Sequence, residues 1–336
     1  MLVVARGYGD QADPRGSHGP TCCPCRSRAV GFRRVALVCW PGVVPGLRFG
    51  DWLVRRAAWA GWEIGAPMSD GARSALVTGA SAGIGRACAE ELHAAGWAVT
   101  GASRRGTTPG GWAGLVMDVD DDDSVRTGVA AMLAAGGRID ALVACAGWGL
   151  AGAVEQCTIG EAKAQLETNF WGCVRVLQQV LPAMRAQGGG RIVLMSSIGG
   201  VIGIPFQAFY SAGKFALEGL GEALAYEVAP FGVHVTLVEP GNVKTDFTAS
   251  RRMAQAAGGD RVYGAALTKA VGLMERDEAN GVPAADVAAA VRRVLESRRP
   301  PRRVSAGKAG ERAGLLAKRL LPFRAFEAAA KSSLGV

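Results

Sequence analysis

The chain predicts an α/β protein built on a doubly wound parallel sheet. Three observations carry that expectation: short continuous apolar runs alternate with longer helical segments, those runs lack the polar alternation of a half-exposed sheet, and a glycine-rich turn joins the first run to the first helix. Strands that are apolar throughout are buried on both faces, so helices must cover the sheet above and below.

The regular text begins at residue 74. Residues 74–78 form a strand, and the glycine turn after it opens a helix over 83–95. Strands follow at 97–102 and 114–118. The acidic run Asp120–Asp123 opens a helix over 122–135, where carboxylates cap the first turn and complement its dipole rather than hold a metal. A strand at 140–144, a long helix over 161–187, the apolar strand 191–196, a helix over 208–229 and a strand at 233–239 complete the alternation. From 242 to 280 the pattern relaxes, before a helix at 284–296 and a short strand near 303–306. This order predicts a Rossmann-like single domain with a C-terminal helical extension and no repeat beyond the βα unit.

Three segments divide the 336 residues: 1–67, 68–308 and 309–336. Residues 1–67 are rich in Gly, Pro, Arg and Trp, contain no Lys and show no period, so they read as a disordered leader or an upstream extension ahead of a start at Met68. They hold nine Arg against four acids, and so carry more than half of the net charge of +9. The remainder is only mildly basic, with no basic stripe interleaved with aromatics, which argues against a nucleic-acid partner. Cys22, Cys25, Cys39 and His18 lack the spacing of a zinc site, while Cys88, Cys145, Cys157 and Cys173 read as small buried hydrophobes in a reducing compartment. No run reaches the roughly 18 apolar residues of a membrane span, and the run 35–47 is broken by Pro41 and Pro45, so a cytoplasmic protein is expected. Residues 309–332 form a basic amphipathic stretch that could cap the cleft, pack on a partner subunit or lie on a membrane surface; a docked helix is the simplest reading.

The turn Thr78-Gly79-Ala80-Ser81-Ala82-Gly83-Ile84-Gly85 lies between the first strand and the first helix. Glycines there admit a tight turn and close backbone approach to a pyrophosphate, and the helix N-terminus supplies amide donors. At the end of the second strand an acid would select the ribose hydroxyl of NAD. The sequence instead reads Ala102-Ser103-Arg104-Arg105, which offers two guanidinium groups to a 2′-phosphate and favours NADP(H). Tyr210 and Lys214 stand at i and i+4 on one helix face, where an ammonium favours the phenolate and draws it toward neutral pH. Ser197 follows the strand 191–196 at its carboxyl end, where open parallel sheets bind ligands, so its hydroxyl and the Tyr210 phenol can meet at one carbonyl.

The glycine spacing GxxxGxG, with Asn169, Ser197, Tyr210 and Lys214 in that order, resembles the short-chain dehydrogenase/reductase family over residues 74 to about 306. The resemblance implies that Tyr210 exchanges a proton with the substrate oxygen, that Ser197 hydrogen-bonds that oxygen, that Lys214 binds the nicotinamide ribose, and that Asn169 holds a relay water. It also implies that Asp118-Val119 contacts adenine, that Ala146-Gly147 approaches the cofactor, and that Pro240, Gly241, Val243 and Thr245 line the nicotinamide side. Ala144 and Cys145 replace the two asparagines that brace this strand in the family. Residues 210–219 and 239–245 also look like the hydroxysteroid and retinol dehydrogenase branch, so a lipophilic carbonyl or alcohol is the expected substrate. Trp148, Phe206, Phe209 and Phe247 would line an apolar cleft or belong to the core. Pairing through the helices at 161–187 and 208–229, as a homodimer or homotetramer, is implied as well. The rival readings are a non-catalytic NADP-binding regulator and a sugar-nucleotide epimerase; the first should have lost the four catalytic side chains, and the second favours another glycine spacing.

Overall fold

A computed structural model describes residues 71–106 and 110–334, so expectations for residues 1–67 lie outside the described residues. Seven parallel strands form the central sheet: β1 (Ser74–Thr78), β2 (Ala98–Ser103), β3 (Ala113–Val116), β4 (Ala141–Ala144), β5 (Gly190–Met195), β6 (Val233–Pro240) and β7 (Arg303–Ala306). Their spatial order is β7-β6-β5-β4-β1-β2-β3. The order reverses between β1 and β4, where Ala75–Thr78 runs beside Ala141–Ala144, and a crevice opens at that reversal.

Alternate residues of the inner strands feed two cores. Leu76, Leu142, Ile192 and Leu194 face α2 (Asp122–Gly136), α4 (Gly172–Ala186) and α5 (Ala208–Glu227), which supply Val125, Val129, Val176, Val180, Leu217 and Leu224. Ala75, Val77, Val143 and Val193 face α1 (Gly83–Ala94) and α7 (Ala284–Glu296), which supply Cys88, Leu92, Val287, Val291 and Val294. The period of two thus places the inner strands between two helical layers, as their apolar runs require, while the edge strand β3 is largely exposed, Val116 included, which corrects the expectation of burial on both faces there.

The long helix expected over 161–187 is observed in three parts: α3 (Ile159–Leu166), a π-turn at Glu167–Trp171 and α4. A capping box between Thr158 and Glu161 starts it two residues early. The π-turn rotates Asn169 inward, and its amide closes a double hydrogen bond with the backbone of Trp148 at 3.0 and 2.9 Å. The stretch 242–280 is less irregular than its sequence suggests, for α6 (Gly264–Ala279) occupies its second half. The C-terminal stretch is two helices, α8 (Ala309–Leu320) and α9 (Phe323–Leu334), with Pro322 between them.

Candidate active site

A cleft of about 570 Å³ runs along the carboxyl ends of the strands, large enough for a dinucleotide and a small substrate. The glycine turn forms one wall. A Cβ on Gly85 would stand 2.4 Å from the Gly79 carbonyl oxygen, and one on Gly79 would stand 3.0 Å from the Ala146 backbone. Both positions therefore need glycine to let the turn fold flat against β4. Gly83 opens α1 with φ +53°, and no side chain caps the helix at Ala82. The first-turn amides are thus left to an anion such as a pyrophosphate.

Ser81, Ala82, Ile84, Asp118, Val119, Ala146, Gly147, Pro240, Gly241, Val243 and Thr245 all line the cleft, as do Asn169, Ser197, Tyr210 and Lys214. Of the two arginines after β2 only Arg104 lines it. Arg105 is exposed beside it, where the chain turns at Gly106 with φ +61°. Asp118 accepts the Asp120 amide at 3.1 Å, and Asp121 caps α2 through Ser124 N, so the acidic run builds a loop and a helix start. Among the described residues no group of His, Cys, Asp and Glu is arranged for a metal ion.

The turn at Ala144-Cys145, which stands where the resemblance places the family's two asparagines, is braced from β1. The Thr78 hydroxyl accepts the Cys145 and Ala146 amides at 3.1 and 3.3 Å, so a side chain from β1 ties down the turn that cradles the cleft. The buried Cys88 thiol has a pKa well above the usual value, raised chiefly by the neighbouring Cys145 thiol.

At the other end Tyr210, in the first turn of α5, and Ser197 both line the cleft. Ser197 leaves β5 in extended conformation, and its Oγ accepts the Gly199 amide at 3.0 Å, which fixes the hydroxyl's position. Lys214 lies one turn on, with Nζ 5.7 Å from the Tyr210 ring centroid, donating to the Met195 carbonyl at 2.7 Å. Burial lowers the Lys214 pKa to about 8. Burial is also the largest influence on Tyr210 and pushes its phenol up; the neighbouring Ser197 hydroxyl and Arg251 pull it down, while Glu278 pushes it further up. A cavity of about 10 Å³, roughly one water in size, lies between Asn169 and Lys214.

Sequence reasoning missed Gln207, Arg251, Arg252 and Glu278. Gln207, Arg252 and Glu278 line the cleft beside Trp148 and Phe247. Arg252 stacks on Trp148 at 4.3 Å, and Phe247 meets the Tyr210 ring edge-on at 5.8 Å. Glu278, at the end of α6, pairs with the buried Arg251 and accepts the Thr248 hydroxyl, so it fastens the short helix Phe247–Ser250 to α6. Phe206 and Phe209 pack against a small satellite core instead of lining the cleft.

The model of the short chain dehydrogenase family matches residues 73–256, more than half of the chain, and the protein belongs to that family. Within it the chain falls in the hydroxysteroid and retinol dehydrogenase-like branch and is an oxidoreductase that interconverts alcohol and carbonyl groups. It is 41% identical to a 3-ketodihydrosphingosine reductase of Bacteroides thetaiotaomicron over 233 residues, which cover 69% of this chain and 87% of that protein. It is 39% identical to human 17-beta-hydroxysteroid dehydrogenase type 1 over 189 residues, 51% of this chain and 57% of that one. A short-chain dehydrogenase from Streptomyces avermitilis shares the fold with a TM-score of 0.68 at 34% identity, covering 79% of this chain and 99% of that one.

Proposed function

We propose that the protein is an NADP(H)-dependent reductase or dehydrogenase of a lipophilic ketone or alcohol, with Tyr210 as its general acid and base. The observation that carries this reading is the convergence of Tyr210, Ser197 and Asn169 on one cleft, with a buried Lys214 one helical turn behind the phenol and 5.7 Å from its ring. When bound, the nicotinamide supplies or accepts the hydride. Tyr210 donates its phenolic proton to the substrate oxygen in reduction and takes it back in oxidation; Ser197 Oγ holds that oxygen in place. Lys214 binds the nicotinamide ribose through the ammonium that now faces Met195, and it refills the Tyr210 proton through a water between itself and Asn169. The water-sized cavity between those residues supports the relay.

Arg104, the cation at the end of β2 with no acid beside it in Ala102–Arg105, selects the 2′-phosphate of NADP(H). Asp118 and Val119 flank adenine at the far end of the cleft, and Pro240, Gly241, Val243 and Thr245 face the nicotinamide. Trp148 and Phe247 give the substrate end an apolar surface. The Bacteroides relative is named for a long-chain keto compound and the human one for a steroid, which supports a lipophilic substrate. A cytoplasmic homodimer or homotetramer through α4 and α5 completes the reading; exposed Trp171, Phe215, Tyr226 and Phe231 near these helices support it. Turnover of NADPH with a panel of long-chain keto compounds, steroids and retinoids tests the proposal. A non-catalytic NADP-binding regulator would bind NADPH and turn over none of them.

A further inference from the structure

We propose that α8 and α9 dock the protein onto the surface of an anionic lipid bilayer. The inner face of α8 is already engaged by the domain. Leu315 is buried, Glu311 accepts the Asn242 amide at 2.9 Å and its side-chain amide at 2.7 Å, and Lys318 donates to the Val201 carbonyl. The outer face carries exposed apolar side chains. Leu316 is 56% exposed, Leu320 72%, and Phe323, just past the Pro322 corner, 77%. At 100° per residue Arg312, Leu316, Arg319 and Leu320 share this face, so cations and leucines are interleaved on one side of the helix.

Charge decides between occupants. From 308 to 331 the chain carries six Lys or Arg against two acids, and one of those acids, Glu311, is turned inward. A second copy docked by a two-fold axis would bring this cationic face against itself, which like charges oppose. A nucleic acid would neutralise the arginines and leave Leu320 and Phe323 in water. A bilayer with anionic headgroups satisfies both: arginines at headgroup level, leucines and phenylalanine at the acyl boundary. Because Glu311 holds Asn242 and Lys318 holds Val201, the docked helix stays bolted to two loops beside the cleft, which leaves the catalytic domain resting against the bilayer.

Sedimentation of the full-length protein with phosphatidylcholine vesicles, with and without phosphatidylserine, tests this. The expected result is binding that requires phosphatidylserine and is released by raising salt. Arg312→Gln and Arg319→Gln should each weaken it about fivefold. Leu320→Ser with Phe323→Ser should weaken it about tenfold or more, with the thermal unfolding midpoint unchanged. Failure of the unmodified protein to sediment with either vesicle overturns the proposal. So does a dimer, measured by light scattering, that Leu320→Ser with Phe323→Ser converts to monomer, for the face would then belong to a second copy.

Discussion

Tyr210 and Lys214 are displaced from their ordinary acidities in opposite directions by one cause, the loss of water around each. Lys214 is the more consequential for stability. Its folded pKa of about 8 lies below that of the unfolded chain, so between about pH 8 and 10.5 the unfolded state binds a proton that the folded state does not. Unfolding free energy should therefore rise through that window, by at most about 1.4 kcal/mol per pH unit, and the rise should be absent in Lys214→Met. Urea titrations of both proteins without cofactor, across that range, would show the difference. Arg104 makes a separate prediction: Arg104→Ala should raise KM for NADPH about tenfold to a hundredfold and leave KM for NADH nearly unchanged, the range of a hydrogen-bonded charge pair. Equal losses for both cofactors would remove Arg104 from the 2′-phosphate site.

At the scale of elements, the contact between α6 and the Phe247–Ser250 helix governs the substrate end. The Arg251 side chain is 2% exposed, and Glu278 is its ion-pair partner. Glu278→Gln leaves that guanidinium buried and uncompensated, which should cost about 3–5 kcal/mol and lower the melting temperature. The same change removes a carboxylate that pushes the Tyr210 phenol up, so the pH at which alcohol oxidation reaches half its maximum should move to lower pH. Movement to higher pH would contradict the assigned electrostatics. The βα alternation, the glycine turn and the Tyr–Lys spacing were legible in the sequence because each is local, set by period or by residues within one turn. Arg251 and Glu278 were not, for α6 reads as irregular and the pair joins residues 27 apart in a stretch without apolar periodicity. The bracing by Thr78 was hidden for the same reason: it pairs with amides 67 and 68 residues away, and only the β1–β4 register brings them together. Asn169 could be found by resemblance, but the π-turn that aims it inward left no trace in the helical pattern.

For the whole molecule, the seven-stranded sheet brings the turns after β1, β4 and β6, the end of β5, α3 and α5 to one edge, and the cleft exists only when all of them fold together. Cofactor binding and folding are therefore linked. NADPH at a hundred times its dissociation constant should stabilise the protein by about 2.7 kcal/mol, visible as a rise in melting temperature. Gly85→Ala, which forces a Cβ against the Gly79 carbonyl, should abolish most of that rise. The central claim is narrower: one phenol moves the proton while the rest of the cleft binds and orients. The direct measurement is NADPH-dependent turnover by Tyr210→Phe on whichever carbonyl compound the unmodified protein reduces, made beside an NADPH-binding titration. Turnover lost by a factor of a thousand or more, on the order of the rate that a positioned acid contributes, with NADPH affinity within about twofold, is the result expected. Turnover retained at the level of the unmodified protein would contradict it.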